Sequence, residues 1–440
     1  MIRVMKKLKV KLKDISFILI YVLGLYLYEF YFFLDESRTL RCIEILSETI
    51  LLFEFKVPIH CDSQYYFNAS NSFEYFFSSE NPYQKRPIFV FILYFFQSTI
   101  KFLSFNILDT KQIFLLSTIS VQISILYLIS KQVSIYLDLS KKNNTKYLYF
   151  LMFFLIPNIR WNMFFPSHGS LTLLGILFTL NYVNNKKTLR DVGIFKVLLI
   201  FGVLSLTHRL FLVYGLVFLI FQIFNNKNFK PSIFYHVTIL AVPTILYNFS
   251  IEKLGLTSFD YNAVAYKQFY WLIDKLNSLE TFNDGEFCQE LNTFYKCNFS
   301  VTYDLIKFYW YQILLLILFS LIQKKFYKNY KIINLIIATS FIFVFWSFIG
   351  WYPPFRFINY SLGYFIFLAF ALLVRSNFIY ESIYIASMLI SLLDVKYLDV
   401  YNNPEYFLYT EFKIISTILI LIGLEFEFKF FSKKIKFLTN

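Results

Sequence analysis

Asp62 stands between Cys61 and Ser63 in a polar stretch, HCDSQYYFNASNSFEYFFSSENPYQKRPIFV (residues 60–90), that closes on Lys85, Arg86 and Pro87. Further on, ionisable groups recur at the borders of long apolar runs. Arg160 and His168 flank RWNMFFPSHGS, His208 and Arg209 fall in SLTHRLF, Arg356 closes WYPPFRF, and Asp35 and Glu36 follow the first run. A carboxylate in the company of several cations suits one kind of chemistry. The carboxylate takes a proton from an attacking hydroxyl or amine, while the cations neutralise charge growing on a phosphate leaving group. Tyr65, Tyr66, Tyr75 and Tyr83 add aromatic faces suited to a sugar ring. Each residue also has a plainer reading. Asp35 and Glu36 serve as a polar helix end, Arg160 and Arg356 as side chains snorkelling to an interface, and His168 as an ordinary polar residue.

The elements that must position these groups follow from composition. Of 440 residues, 58% are hydrophobic, 22% aromatic and only 16% charged, against about 25% charged in a typical soluble domain. One soluble core could not hide so much Phe, Ile, Leu and Tyr. A bilayer-crossing helix needs about 20 mostly apolar residues, and runs such as 14–34 and 149–159 recur along the chain. The apolar runs are continuous and do not alternate, which argues against a β-barrel. The expected class is therefore an all-α, polytopic membrane protein. Its net charge of +14 marks cytoplasmic loops and does not call for nucleic acid. Cys42, Cys61, Cys288 and Cys297 form no CxxC pair, so no zinc or redox motif is present. Cys288 and Cys297 share one polar loop and can pair if that loop faces an oxidising compartment.

Lysine placement orients the chain. Arg3, Lys6, Lys7, Lys9, Lys11 and Lys13 precede the first apolar run, so an uncleaved helix at about 15–34 starts on the cytoplasmic side. Residues 35–86 are then extracytoplasmic. The segment 87–105 is interrupted by Gln97, Thr99 and Lys101 and either spans or lies on the surface. Lys131, Lys141, Lys142 and Lys146 follow the next run, and their loop is cytoplasmic only if 87–105 lies in the interface, which is the expectation. Spans then fall near 112–130, 147–163, 167–183, 192–207, 210–225, 232–250, 302–322, 332–350, 358–374, 378–393 and 411–427. With the first, they make about twelve, and both termini are cytoplasmic. The loops at 184–190, 225–231 and 324–331, with Arg375 and the tail 429–436, come out inside; 251–300 and 394–406 come out outside. No internal repeat is visible. The expectation is one integral domain, 1–440, with two large extracytoplasmic loops, 35–110 and 251–300, multi-pass in a bacterial inner or plasma membrane.

Asp62, Tyr65 or Tyr66, Ala69, and then the Arg86-Pro87 step that opens an amphipathic helix resemble the first outer loop of the C-type (GT-C) membrane glycosyltransferases. These include the protein O-mannosyltransferases and the bacterial aminoarabinose transferases. The likeness takes in the first helix, the segment after Pro87 and the spacing of outer turns to about residue 225. It implies extracytoplasmic juxtamembrane helices, a polyprenyl-phosphate-linked sugar donor and a glycan, lipid or protein acceptor. It also implies an inverting transfer with Asp62 as base, serving cell-envelope polysaccharide biosynthesis. Tyr66, Lys85, Arg86, His168, His208, Arg209 and Arg356 then bind substrate, and Asp35 and Glu36 are the alternative acids. Many relatives carry an Asp-Glu pair where this chain has Asp62-Ser63, and a second acidic residue gives way near His168. Whether a divalent metal takes part stays open. Two other classes compete. An O-antigen-type polymerase or ligase usually has a large late outer loop rich in Arg, whereas 251–300 is acidic and lysine-bearing. A lipid-linked sugar flippase or transporter tends to show repeats and broken helices at the midplane.

Overall fold

The structure, a computed structural model, describes residues 12–25, 63–78, 81, 84, 86–105, 107–139, 145–155, 168–184, 191–208, most of 211–219, 233–256, 331, 332, 335, 366–374 and 381–386. Among them every regular element is helical and none is a strand. The helices with both ends described are α1 Ser63–Asn71, α2 Phe73–Phe76, α3 Pro87–Leu103, α4 Thr110–Tyr136, α5 Lys146–Phe154, α6 His168–Asn184, α7 Asp191–Leu204 and α8 Ile233–Lys253. Two of them, α4 and the stretch Phe234–Lys253 of α8, are long and apolar enough to cross a membrane. The chain forms two compact units. The first holds Met1–Tyr136 and Arg160–Asp260, the second Leu137–Ile159 and Tyr261–Asn440.

In the first unit, residues 12–25 bury Asp14, Ile18, Tyr21, Val22 and Leu25 and expose Leu19, Ile20 and Leu23. That is the 3.6-residue stripe of a helix with one packed side. The start of α4 is written locally. Asp109 Oδ1 accepts from the Gln112 amide at 2.7 Å, and Gln112 Oε1 accepts from the Asp109 amide at 3.2 Å. This reciprocal capping starts α4 two residues ahead of the expected 112. The helix runs 27 residues. Its lysines at 111 and 131 bracket about 30 Å at 1.5 Å per residue, the thickness of a hydrocarbon core.

Polar residues inside the apolar helices set how they pack. Ser170 Oγ donates to Gln122 Oε1 at 2.9 Å, and Asn181 Nδ2 donates to the Gln132 carbonyl and to its Oε1, both at 2.8 Å. The two contacts advance together, so α4 and α6 run in the same direction. Gly175, in the first half of α6, lies against Leu204 at the end of α7, so α7 runs the opposite way. Gly202 of α7 lies so close to α8 that an added Cβ would sit 2.6 Å from the Leu240 carbonyl oxygen. Nearby, Ser205 Oγ and Thr244 Oγ1 are 2.7 Å apart. Pro243 lies inside α8, where it removes an amide donor; neighbouring hydroxyls are a common accompaniment of such a proline in an apolar helix. The starts of α4 and α6 and the ends of α7 and α8 thus share one end of the unit.

Two contacts locate the chain ahead of α3. The ring of Phe67 in α1 meets Phe114, in the second turn of α4, at 5.2 Å, and Tyr247 near the end of α8 binds Gln84. The chain therefore reaches Pro87 from the end where α4 begins. Six residues, 104–109, then separate Leu103 from the start of α4. So α3 packs beside α4. Its inner stripe is Phe89, Val90, Leu93 and Gln97; Phe91, Tyr94, Phe95, Phe102 and Leu103 face outward. Gln97 is 5% exposed, and its Nε2 donates to Ser70 Oγ at 2.9 Å. A buried amide that lost such a partner would cost about 1–3 kcal/mol, so Gln97 is a packing pair and not a break in the helix.

The second unit gathers α5 with two buried helical runs, 366–374 and 381–386. Phe367 takes the rings of Tyr149, Phe153 and Tyr384 at 6.5, 5.5 and 6.4 Å. Tyr384 Oη donates to the Phe367 carbonyl at 3.2 Å. Asp138, with φ of 50°, pairs with Lys331 at 3.5 Å.

Candidate functional site

The region opened by the sequence is built from α1, the turns after α2, and the start of α3. Ser72 Oγ accepts from the Tyr75 amide at 3.1 Å and starts α2. The turns that follow are stitched by Asn81, whose amide donates to the Ser78 carbonyl at 3.3 Å and whose Nδ2 donates to the Phe76 carbonyl at 2.9 Å. The Gln84 amide then donates to the Asn81 carbonyl at 3.2 Å. Asn81 and Gln84 are both fully buried, which is uncommon for loop amides and marks a turn set into the unit. From α8, Tyr247 Oη donates to the Gln84 carbonyl at 2.7 Å, across 163 residues of sequence.

Arg86 follows as the residue capping α3 at its amino end, half-buried, with no side-chain hydrogen bond to the helix. Pro87 takes the first helical position, where a missing amide is harmless. Arg86 thus stands at the amino end, the positive end, of a 17-residue helix.

The two tyrosines left open by the sequence are now distinguished. Tyr66 is fully buried, its ring edge-on to Phe89 at 5.3 Å, whereas Tyr65 is 40% exposed. Tyr66 is a core residue that offers no face to a sugar; Tyr65 is the aromatic that reaches outside. Ala69 is buried, and Ser70 Oγ donates to the Tyr66 carbonyl at 2.6 Å. These positions of the motif hold α1 in place.

His208 is 5% exposed in the turn that closes α7, its amide on the Leu204 carbonyl at 3.1 Å and its carbonyl taken by the Phe211 amide at 3.1 Å. His168 is the first residue of α6; its side chain lies outside the described residues. The start of α6 and the turn at His208 lie at the end of the unit that also holds Gln84. Asp62, Lys85, Arg209, Arg356, Asp35, Glu36 and the pair Cys288–Cys297 lie outside the described residues. Asp62 directly precedes α1 in sequence. Among the described residues no group of three His, Cys, Asp or Glu side chains is placed to hold a metal ion.

Sequence reading passes over three residues. Gln84 and Tyr247 carry no motif, since a backbone carbonyl and a distant tyrosine leave no local signal. Glu381, 2% exposed in the second unit, had one, because a carboxyl within an apolar run is a functional candidate by default.

The architecture defined by these contacts is a helical protein with a polar, arginine-bearing turn set at one end of its first unit. Comparison of the chain with protein-family models, with characterised proteins and with solved structures finds no match.

Proposed function

We propose that the protein is a multi-pass membrane glycosyltransferase of the GT-C type. It moves a sugar from a polyprenyl-phosphate-linked donor to an acceptor at the extracytoplasmic face. The acceptor hydroxyl or amine attacks the anomeric carbon opposite the sugar–phosphate bond. Asp62 takes its proton, the phosphate leaves towards Lys85 and Arg86, and this single displacement inverts the anomeric centre. The observation that carries the reading is the bond from Tyr247 to Gln84. It joins the turn before Arg86 to the helix end that leads into loop 251–300, the two regions that lysine asymmetry assigns to the outer face.

Two further observations support it. The ion pair between Asp138 and Lys331 joins two loops, 131–146 and 324–331, that the same asymmetry assigns to the cytoplasm. The exposed aromatic side of α3, Phe91, Tyr94, Phe95 and Phe102, supports a juxtamembrane helix that lies against lipid. An apolar surface of this kind in water would be an association hazard. Phe234, Ile245, Leu246 and Phe249 of α8 are likewise exposed. Tyr65, at the start of the site, supplies the aromatic face for sugar.

Sidedness tests this directly. Single cysteines placed in loops 131–146 and 251–300 of a cysteine-free protein, labelled in intact cells with an impermeant maleimide, are expected to react only at 251–300. Labelling of both loops from the same side would end the topology and the outer-face site with it.

A further inference from the structure

We infer that Tyr247 is a positioning residue for the Arg86 step, acting through the carbonyl of Gln84. The inference rests on the reading that this step meets the phosphate of a polyprenyl carrier. Three observations support the role of Tyr247. Its hydroxyl reaches a backbone oxygen, at 2.7 Å, and so fixes the path of the chain rather than a replaceable side chain. Gln84 is fully buried, and its amide is already engaged by Asn81, so the bond from Tyr247 completes a turn held on both sides. Arg86 comes two residues after Gln84, and Pro87 opens α3 directly behind it with its own φ fixed near −65°. The backbone that leads to Arg86 is therefore held from α8, the helix that continues into the second outer loop.

Location on α8 adds a second consequence. Tyr247 lies one turn beyond Pro243 and Thr244, where α8 carries its proline and meets Ser205, the residue after α7. The outer part of α8 is thus anchored below by α7 and presents its tyrosine to the turn from a fixed base. A group held in place before substrate arrives contributes more to binding than one that must be ordered by it.

The test uses the full chain in lipid nanodiscs. Tyr247→Phe removes one hydroxyl and keeps the ring. Hydrogen–deuterium exchange of the amides within 84–90 is expected to rise about fivefold, with residues 233–246 of α8 unchanged. Affinity for a long-chain polyprenyl monophosphate is expected to fall about fivefold as well. In an Arg86→Gln background the same substitution is expected to change affinity no further. Unchanged exchange within 84–90, a rise spread through the whole unit, or equal losses of affinity in both backgrounds would each overturn the role of Tyr247. If the unaltered protein does not bind polyprenyl monophosphate, the glycosyltransferase reading fails, and the exchange pattern alone decides whether Tyr247 holds the turn.

Discussion

Asp62→Asn is expected to lower sugar transfer by about 10²–10⁴-fold, the range for loss of a general base, while the protein still inserts and folds. The substitution is chosen for what it preserves. Asp62 immediately precedes Ser63, the first residue of α1, and Asp is also a favoured residue for capping a helix start. A capping role and a basic role predict different outcomes, because Asn caps about as well as Asp but takes no proton. If capping is all that Asp62 does, Asp62→Asn leaves activity intact and Asp62→Ala reduces stability by about 1 kcal/mol. If Asp62 is the base, Asp62→Asn and Asp62→Ala are both inactive, and Asp62→Asn melts with the unaltered protein. Transfer rates in membranes with matched protein levels, read beside melting temperatures, separate the two. Full activity in Asp62→Asn would move the search to Asp35 and Glu36.

Arg86→Gln is the second large effect. Removing one partner of a desolvated charge pair typically costs about 2–5 kcal/mol, so donor use should fall by about 30-fold or more. The loss should appear mainly in the KM for the lipid-linked donor if Arg86 grips the phosphate equally throughout, and in kcat if it grips the departing phosphate more tightly. Arg86→Lys is expected to recover only part of the loss, because lysine offers a point charge where arginine offers a planar fork. The helix itself should survive, since Arg86 makes no side-chain hydrogen bond to α3 and Pro87 still opens it. Donor kinetics for Arg86→Gln indistinguishable from those of the unaltered protein would remove Arg86 from the site.

Helix positions were the most legible part of the sequence. Long apolar runs can only be buried or face lipid, so the element expected at 167–183 is found at His168–Asn184, that at 192–207 at Asp191–Leu204, and that at 232–250 at Ile233–Lys253. Polar residues inside such runs misled because their meaning depends on distant partners. Gln97 reads as an interruption until Ser70, 27 residues away, is seen beneath it. The choice between Tyr65 and Tyr66 turns on which side of α1 meets Phe89, and a nine-residue helix with a mixed composition does not declare its buried side. The extra start of α4 was readable, since Asp109 and Gln112 have the spacing of reciprocal caps; the apolar run alone begins later. Contacts between distant segments were the least legible, because residues far apart in sequence meet only through the tertiary structure, as Tyr247 meets Gln84.

The most direct test of the central claim is to follow the carrier itself. The purified protein would be reconstituted with a panel of polyprenyl-phosphate-linked hexoses and pentoses, with extracted envelope glycans and lipids as acceptors, and the products weighed by mass spectrometry. The expected result is release of polyprenyl monophosphate matched by one added sugar on an acceptor, with inverted anomeric configuration, abolished in Asp62→Asn. Folded protein that releases no polyprenyl monophosphate from any donor in the panel, or releases as much with Asp62→Asn as without it, would contradict the account.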